Sequence, residues 1–276
     1  MSDVAQAPLL SVQGVTVRFA GVTALSEVSF DVRPGELFAV IGPNGAGKTS
    51  LFNVLSRVYQ PAAGRVIYDG RDLLRLRTDQ IVGAGIARTF QNLGQFPYIT
   101  ALDYLLLGRH SRMRSGVLRG GLYLGPAAAE ERENRAYCMR LLALVGLERH
   151  HDRMLSSLPF GLRKRADLAR ALAAQPRLLL LDEPVAGMGV EESLDIAAIL
   201  LDIQRQLGVT QVLVEHDMAM VMGIADRVLA LDFGRVIAQG APAEMRANPE
   251  VIKAYLGEDL AGTPGASGGA SADTRS

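Results

Sequence analysis

The spacing of hydrophobic positions along this chain changes several times, and each change predicts a different element. Val15, Val17 and Phe19 alternate with Thr16 and Arg18, and Val28, Phe30 and Val32 alternate with Ser29 and Asp31. A period of two marks half-buried strands, so these runs predict an antiparallel β layer at the edge of the fold. "LFAVIG" (37–42) is apolar throughout, as a strand covered on both faces is. Leu51, Val54, Leu55 and Val58 then recur at helical spacing. "RLLLLD" (177–182), a helical stretch from about 191 to 207, "TQVLVE" (210–215), a short helix and "RVLALD" (227–232) follow. Apolar strands alternating with helices predict an α/β fold with a mostly parallel sheet.

Between about 93 and 165 the buried-strand runs stop and helical periodicity takes over, most clearly in "AYCMRLLALVGL" (136–147). This stretch reads as a helical subdomain inserted in the α/β core. Residues 1–257 form one domain on this reading. The remainder, 258–276, is rich in Gly, Ala and Ser and reads as a disordered tail.

Composition narrows the classes. Lys plus Arg equals Asp plus Glu at 29 each, so no global charge recruits nucleic acid. Cys138 is the single cysteine, which excludes an internal disulfide and a cysteine-built metal site. "MSDVAQAPLL" lacks the basic and apolar regions of a secretory signal. No run approaches the roughly 18 apolar residues that span a bilayer. Work at a membrane would therefore go through a partner or from the surface.

The chemistry concentrates at two motifs. "GPNGAGKTS" (Gly42, Pro43, Asn44, Gly45, Ala46, Gly47, Lys48, Thr49, Ser50) matches G-x-x-x-x-G-K-[ST] between an apolar strand and an amphipathic helix. Glycines let the backbone wrap a phosphate with its N–H groups pointing inward, and the helix N-terminus favours the anion. Lys48 can reach the β- and γ-phosphates of a bound nucleotide, and the Thr49 hydroxyl can ligate Mg²⁺. "LLLLDEP" (178–184) supplies the second half. Asp182 would hold Mg²⁺, directly or through water, and Glu183 would polarise an attacking water. His216 in "VEHDM" and Gln91 in "RTFQN" carry little weight alone.

Together these residues resemble the nucleotide-binding subunits of ABC transporters, over about residues 9–257 and in the same motif order. The resemblance implies a P-loop NTPase core. It also implies that Phe19 stacks on adenine, that 42–50 is the Walker A loop and that 178–183 is Walker B with catalytic Glu183. Gln91 would be the Q-loop glutamine, touching Mg²⁺ and coupling to the membrane subunit, and His216 the switch histidine. "AGMGV" (186–190), with Gly187 and Gly189, falls at the D-loop. "LPFGL", with Pro159, Phe160, Gly161 and Leu162, falls at the signature, which in this family closes over a partner's ATP. "RTFQN", the insertion at 107–135, "VEHDMAMVMGIADRV" and "NPEVIKAYLGE" are similar to the LivG-type ATPases of importers for branched-chain amino acids and related amides or urea. ATPases of lipid or lipopolysaccharide export share much of the pattern, with a shorter segment expected after the Q-loop. Soluble P-loop kinases or GTPases lack the 158–170 turn, and non-transport ABC ATPases usually carry paired domains.

The chain departs from the family at the signature, where L-S-G-G-Q is usual. Pro159 offers neither hydroxyl nor amide proton, and Gly189 stands where the D-loop usually has Asp or Asn. Intact Walker motifs beside a weak signature imply an unequal pair, a heterodimer in which this chain owns the more active site. Two integral membrane permease subunits and a solute-binding protein complete the implied assembly, at the cytoplasmic face of the cell membrane. Arg163, Lys164 and Arg165, in the first helical turn after the signature, are expected to face that phosphate. Arg109, Arg112, Arg114 and Arg119 occur with no acid between Asp103 and Glu130. They read either as a solvated loop or as a cationic surface toward the membrane.

Overall fold

The computed structural model describes residues 7–89, 98–110 and 126–261. Its larger sheet has six strands: β3 (Leu37–Ile41), β6 (Ile86–Arg88), β7 (Leu178–Asp182), β8 (Thr210–Val214), β9 (Arg227–Asp232) and β10 (Arg235–Gly240). They lie in the order β10-β9-β3-β8-β7-β6, parallel throughout except for β10 on β9. β3, β7 and β8 are buried at every position, which is why their sequences show no alternation.

Alternate residues of these strands still serve different cores. Leu37, Ala39 and Ile41 with Leu179 and Leu181 face the helices that follow β6 and β7. Phe38 and Val40 with Leu178 and Leu180 face α1 (Lys48–Leu55) and the second sheet. That sheet is antiparallel, in the order β2-β1-β4-β5, from β1 (Leu10–Phe19), β2 (Val22–Val32), β4 (Ala63–Tyr68) and β5 (Arg71–Asp72). The alternating runs at 15–19 and 28–32 pair as β1 and β2, with Val15 opposite Val28 and Val12 opposite Phe30.

Between β6 and β7 the described residues form helices: α2 (Ala101–Arg109), α3 (Pro126–Leu144) and α4 (Phe160–Ala173), with short 3-10 turns. Their apolar faces meet at Leu102, Leu105, Cys138, Leu142, Leu168 and Leu172. Tyr104 donates to Asp167 at 2.9 Å, and Arg170 pairs with the same carboxylate at 2.8 Å. Burial pushes the Cys138 thiol up to about 11, partly opposed by Arg109.

Three expectations change. Arg109 is no surface cation: it is buried, donates to Asn134 at 2.5 Å and lies 4.3 Å from the Tyr137 ring centre. Arg112, Arg114 and Arg119 fall outside the described residues. The helix read over 191–207 is α5 (Val190–Asp202) followed by a π turn at Ile203–Leu207, which Gly208 ends at φ 62°. The chain then continues through α6 (Met218–Ile224), α7 (Pro242–Ala247) and α8 (Pro249–Ala261), so helix runs past Glu258, where the tail was expected to begin.

Candidate nucleotide site

The loop at 42–50 joins β3 to α1, and its shape depends on glycine at two places. Gly47 has φ 102°, and a Cβ there would meet the Ala24 carbonyl oxygen at 2.6 Å. At Gly42 (φ 150°) a Cβ would meet the Leu231 oxygen at 2.2 Å. The loop is thus wedged between the second sheet and β9, with no room for a side chain at either point. α1 begins at Lys48, which is buried and donates its Nζ protons to the carbonyls of Gly42 (2.6 Å) and Pro43 (2.9 Å).

A cavity of about 200 Å³ is lined by Asn44 through Ser50 together with Ala24, Glu183 and His216. Residues more than 130 positions apart in sequence are brought together because β8 pairs with β3 and β7 with β8. Glu183 follows β7 and takes a left-handed backbone, φ 48°. Such a conformation costs on the order of 1–3 kcal/mol outside glycine. It is held by the Glu183 N–H donating to Val214 at 2.9 Å and by Lys164 donating to the Glu183 carbonyl at 3.3 Å. The Glu183 Oε1 lies 2.9 Å from His216 Nε2.

Asp182 is 1% exposed at the end of β7. Arg88 of β6 holds its Oδ2 at 2.6 Å, while its Oδ1 is buried with no hydrogen-bond partner among the described residues. An unpartnered carboxylate oxygen beside a phosphate loop fits a divalent cation. Among the described residues no group of three or more His, Cys, Asp or Glu side chains could hold an ion alone. Mg²⁺ commonly takes one or two carboxylates and completes its shell with substrate phosphates and water.

Three residues around this site were not singled out from sequence. Arg88 donates to Asn53 of α1 and to Ser56, its C-cap, each at 2.8 Å, and its carbonyl accepts from Arg170 of α4 at 3.1 Å. Glu215 is 2% exposed and accepts the N–H groups of Val185 (2.8 Å) and His216 (3.0 Å). Burial pushes the Glu215 carboxyl up, against those hydrogen bonds, which pull it down. Tyr255 of α8 accepts the Gly42 N–H at 2.8 Å.

Other sequence candidates fall elsewhere. Phe19 ends β1, half-exposed, and packs edge-on against Tyr59 at 5.0 Å. It does not line the 200 Å³ cavity. Gln91 lies outside the described residues. Pro159 and Phe160 are exposed at the start of α4, whereas Gly161 is buried and Leu162 packs on the core. Gly187 lies beside the Phe160 ring, and Gly189 caps α5. Of the cations after the signature, Lys164 is buried against Glu183 and Arg165 pairs with Asp195 at 2.5 Å. Arg163 lies over the Phe160 ring at 5.8 Å, so two of the three cations expected to face a phosphate have partners within the chain.

Residues 25–186, more than half the chain, match the ABC transporter family. The chain belongs to that family. As an ABC ATPase it has a P-loop NTPase core, and it binds and hydrolyses ATP. A second profile, the branched-chain amino acid ATP-binding cassette transporter, matches residues 235–261. The high-affinity branched-chain amino acid transport ATP-binding protein BraF of Pseudomonas aeruginosa is 39% identical over 252 residues, 91% of this chain and 98% of that one. LivG of Escherichia coli, of the same description, is 37% identical over 251 residues with the same coverage. Among solved structures, the ADP conformation of MJ1267, an ATP-binding cassette of an ABC transporter, superposes on this ABC ATPase with TM-score 0.80 at 28% identity. It covers 92% of this chain and 100% of that one.

Proposed function

We propose that this chain is the ATP-hydrolysing subunit of a branched-chain amino acid importer, seated on the cytoplasmic face of the membrane against two permease subunits. The observation that carries this reading is the match of residues 235–261 to the branched-chain amino acid cassette, beside relatives aligned over almost their whole length. Among the described residues no helix is long and apolar enough to cross a membrane, so the route for the solute would lie in partners. A solute-binding protein would deliver it to them.

Within the site, Glu183 is the base: its carboxylate orients the attacking water and takes its proton. His216, bonded to Glu183 Oε1 at 2.9 Å, holds that carboxylate in place and stands ready to donate to the γ-phosphate. Lys48 leaves the loop carbonyls to meet the phosphate oxygens, an interaction that strengthens as charge moves onto the leaving group. Thr49 and Asp182 would hold Mg²⁺, with Gln91 as a further contact. When bound, that ion neutralises charge on the β- and γ-phosphates.

The partner is a different ABC ATPase. Pro159 lacks a hydroxyl and an N–H, and the Glu192 carboxylate lies against Gly161, 2.5 Å from where a Cβ would stand. A negative group at that glycine disfavours a partner's phosphate there. A partner with a serine-bearing signature would complete the site that this chain's Walker motifs begin. A groove of about 570 Å³, lined by residues that include Val58, Val82, Leu107 and Arg88, supports a permease segment docking beside β6.

The test is reconstitution. The chain, its partner ATPase, the permeases and the binding protein in proteoliposomes should take up radiolabelled leucine, isoleucine or valine with ATP. Uptake of none of these, with another solute transported, overturns the substrate class. High steady-state ATPase activity from this chain alone, equal to that of the assembly, overturns the unequal pair.

A further inference from the structure

The P-loop is fastened to the far end of the chain by one hydroxyl. Gly42 is buried, so its N–H requires an acceptor inside the protein. β3 ends at Ile41, and the acceptor is Tyr255 Oη at 2.8 Å, 213 residues away on α8. The same glycine uses its carbonyl to hold Lys48 Nζ at 2.6 Å. Tyr255, Gly42 and Lys48 therefore form a continuous chain from the C-terminal helix to the phosphate-binding ammonium.

The surroundings of α8 favour a role in the site over simple packing. One side of the helix, at Glu250, Lys253 and Ala254, lines a cavity whose other wall is the loop at Pro43–Ala46. The other side, at Val251, Ile252 and Tyr255, lines a cavity shared with Met218 and Met222 of α6. α6 starts two residues after His216 and is capped by Asp217, which accepts the Met220 N–H at 2.9 Å. α8 thus stands between the loop that carries Lys48 and the helix that follows His216. A phenylalanine at 255 would keep the ring against the core and lose the hydroxyl that accepts the Gly42 N–H.

We propose that Tyr255 is a positioning residue for nucleotide: its hydroxyl fixes the Gly42 peptide, and through it the starting position of Lys48. The C-terminal segment that marks this subfamily then acts directly on the phosphate loop. The inference rests on the ATP site described above but on no assumption about the transported solute.

The experiment uses the full chain and its Y255F and K48A variants. Binding of a fluorescent ATP analogue is titrated, unfolding is followed by heat, and hydrogen exchange is read in peptides covering 41–50. Y255F should bind the analogue about tenfold more weakly, the equivalent of one typical buried hydrogen bond. Its 41–50 peptides should exchange faster. Unchanged affinity with a lowered melting temperature would reduce Tyr255 to a stabilising residue and overturn the proposal, as would unchanged exchange at 41–50. K48A separates the two levels: if it binds the analogue as wild type does, the phosphate-loop reading fails before the role of Tyr255 is reached.

Discussion

Arg88 sits where the sequence shows only a residue three places before Gln91, yet its guanidinium pairs with Asp182 at 2.6 Å. Replacing it with methionine keeps much of the stem and removes the guanidinium. Asp182 is 1% exposed in its side chain and Arg88 21%, so the pair is shielded mainly on the carboxylate side. Removing one partner of a buried pair costs about 3–5 kcal/mol, because the other charge is left uncompensated. The partial exposure of Arg88 argues for the lower end, about 3 kcal/mol. Asn53 and Ser56 also lose a donor, but both are partly exposed and can turn to water. For a domain of this size each kcal/mol shifts the melting temperature by about 2–4 °C, so R88M should melt about 6–12 °C below wild type. The assay is thermal unfolding of wild type, R88M, D182N and the double variant. R88M/D182N should melt above R88M, since the second change removes the stranded charge. Added Mg²⁺ should raise the melting point of R88M more than that of wild type. If R88M melts within 2 °C of wild type, or if D182N lowers R88M further by its full single-variant effect, the pairing argument fails.

Two further outcomes follow from buried groups. Glu215 has its carboxyl pushed up by burial, so the folded chain binds its proton more tightly than the unfolded chain does. Its ionisation therefore subtracts stability as pH rises from the ordinary glutamate range, near 4.3, through the raised folded value. The melting temperature of wild type minus that of E215Q should fall across that rise; a flat or rising difference refutes it. Cys138 is buried with its thiol pushed up to about 11, so a thiolate-directed reagent at neutral pH should label it only on unfolding. Rapid labelling of the native chain would contradict the packing of α2, α3 and α4 around it.

The strands and the phosphate loop were legible because burial and turn chemistry write directly into local sequence. β3, β7 and β8 show as unbroken apolar runs, and the loop needs glycine where backbone approaches backbone. β10 was missed for a local reason: its hairpin turns through Phe233 (φ 43°) and Gly234 (φ 76°), and phenylalanine is not a residue that announces a positive φ. Arg88, Glu215 and Tyr255 were missed for a tertiary one. Their partners lie 94, 30 and 213 positions away, and Glu215 and Tyr255 bind backbone N–H groups, which carry no residue signature. Arg109 illustrates the opposite error. Charge patterning placed it with three other arginines, whereas Asn134, Tyr137 and the Ala173 carbonyl supply enough partners to bury it. Lys164 and Arg165 likewise found intramolecular partners that helix periodicity does not reveal.

The proposed composite site takes its working Walker side from this chain and its better signature from a different ATPase. The most direct measurement is ATP hydrolysis and labelled branched-chain amino acid uptake by the assembled importer carrying E183Q in this chain, compared with the same change at the partner's corresponding glutamate. E183Q should abolish hydrolysis and uptake while ATP binding persists, and the partner's change should leave most of the hydrolysis. Equal losses from the two changes would contradict the unequal pair, and turnover retained in E183Q would contradict the assignment of the base.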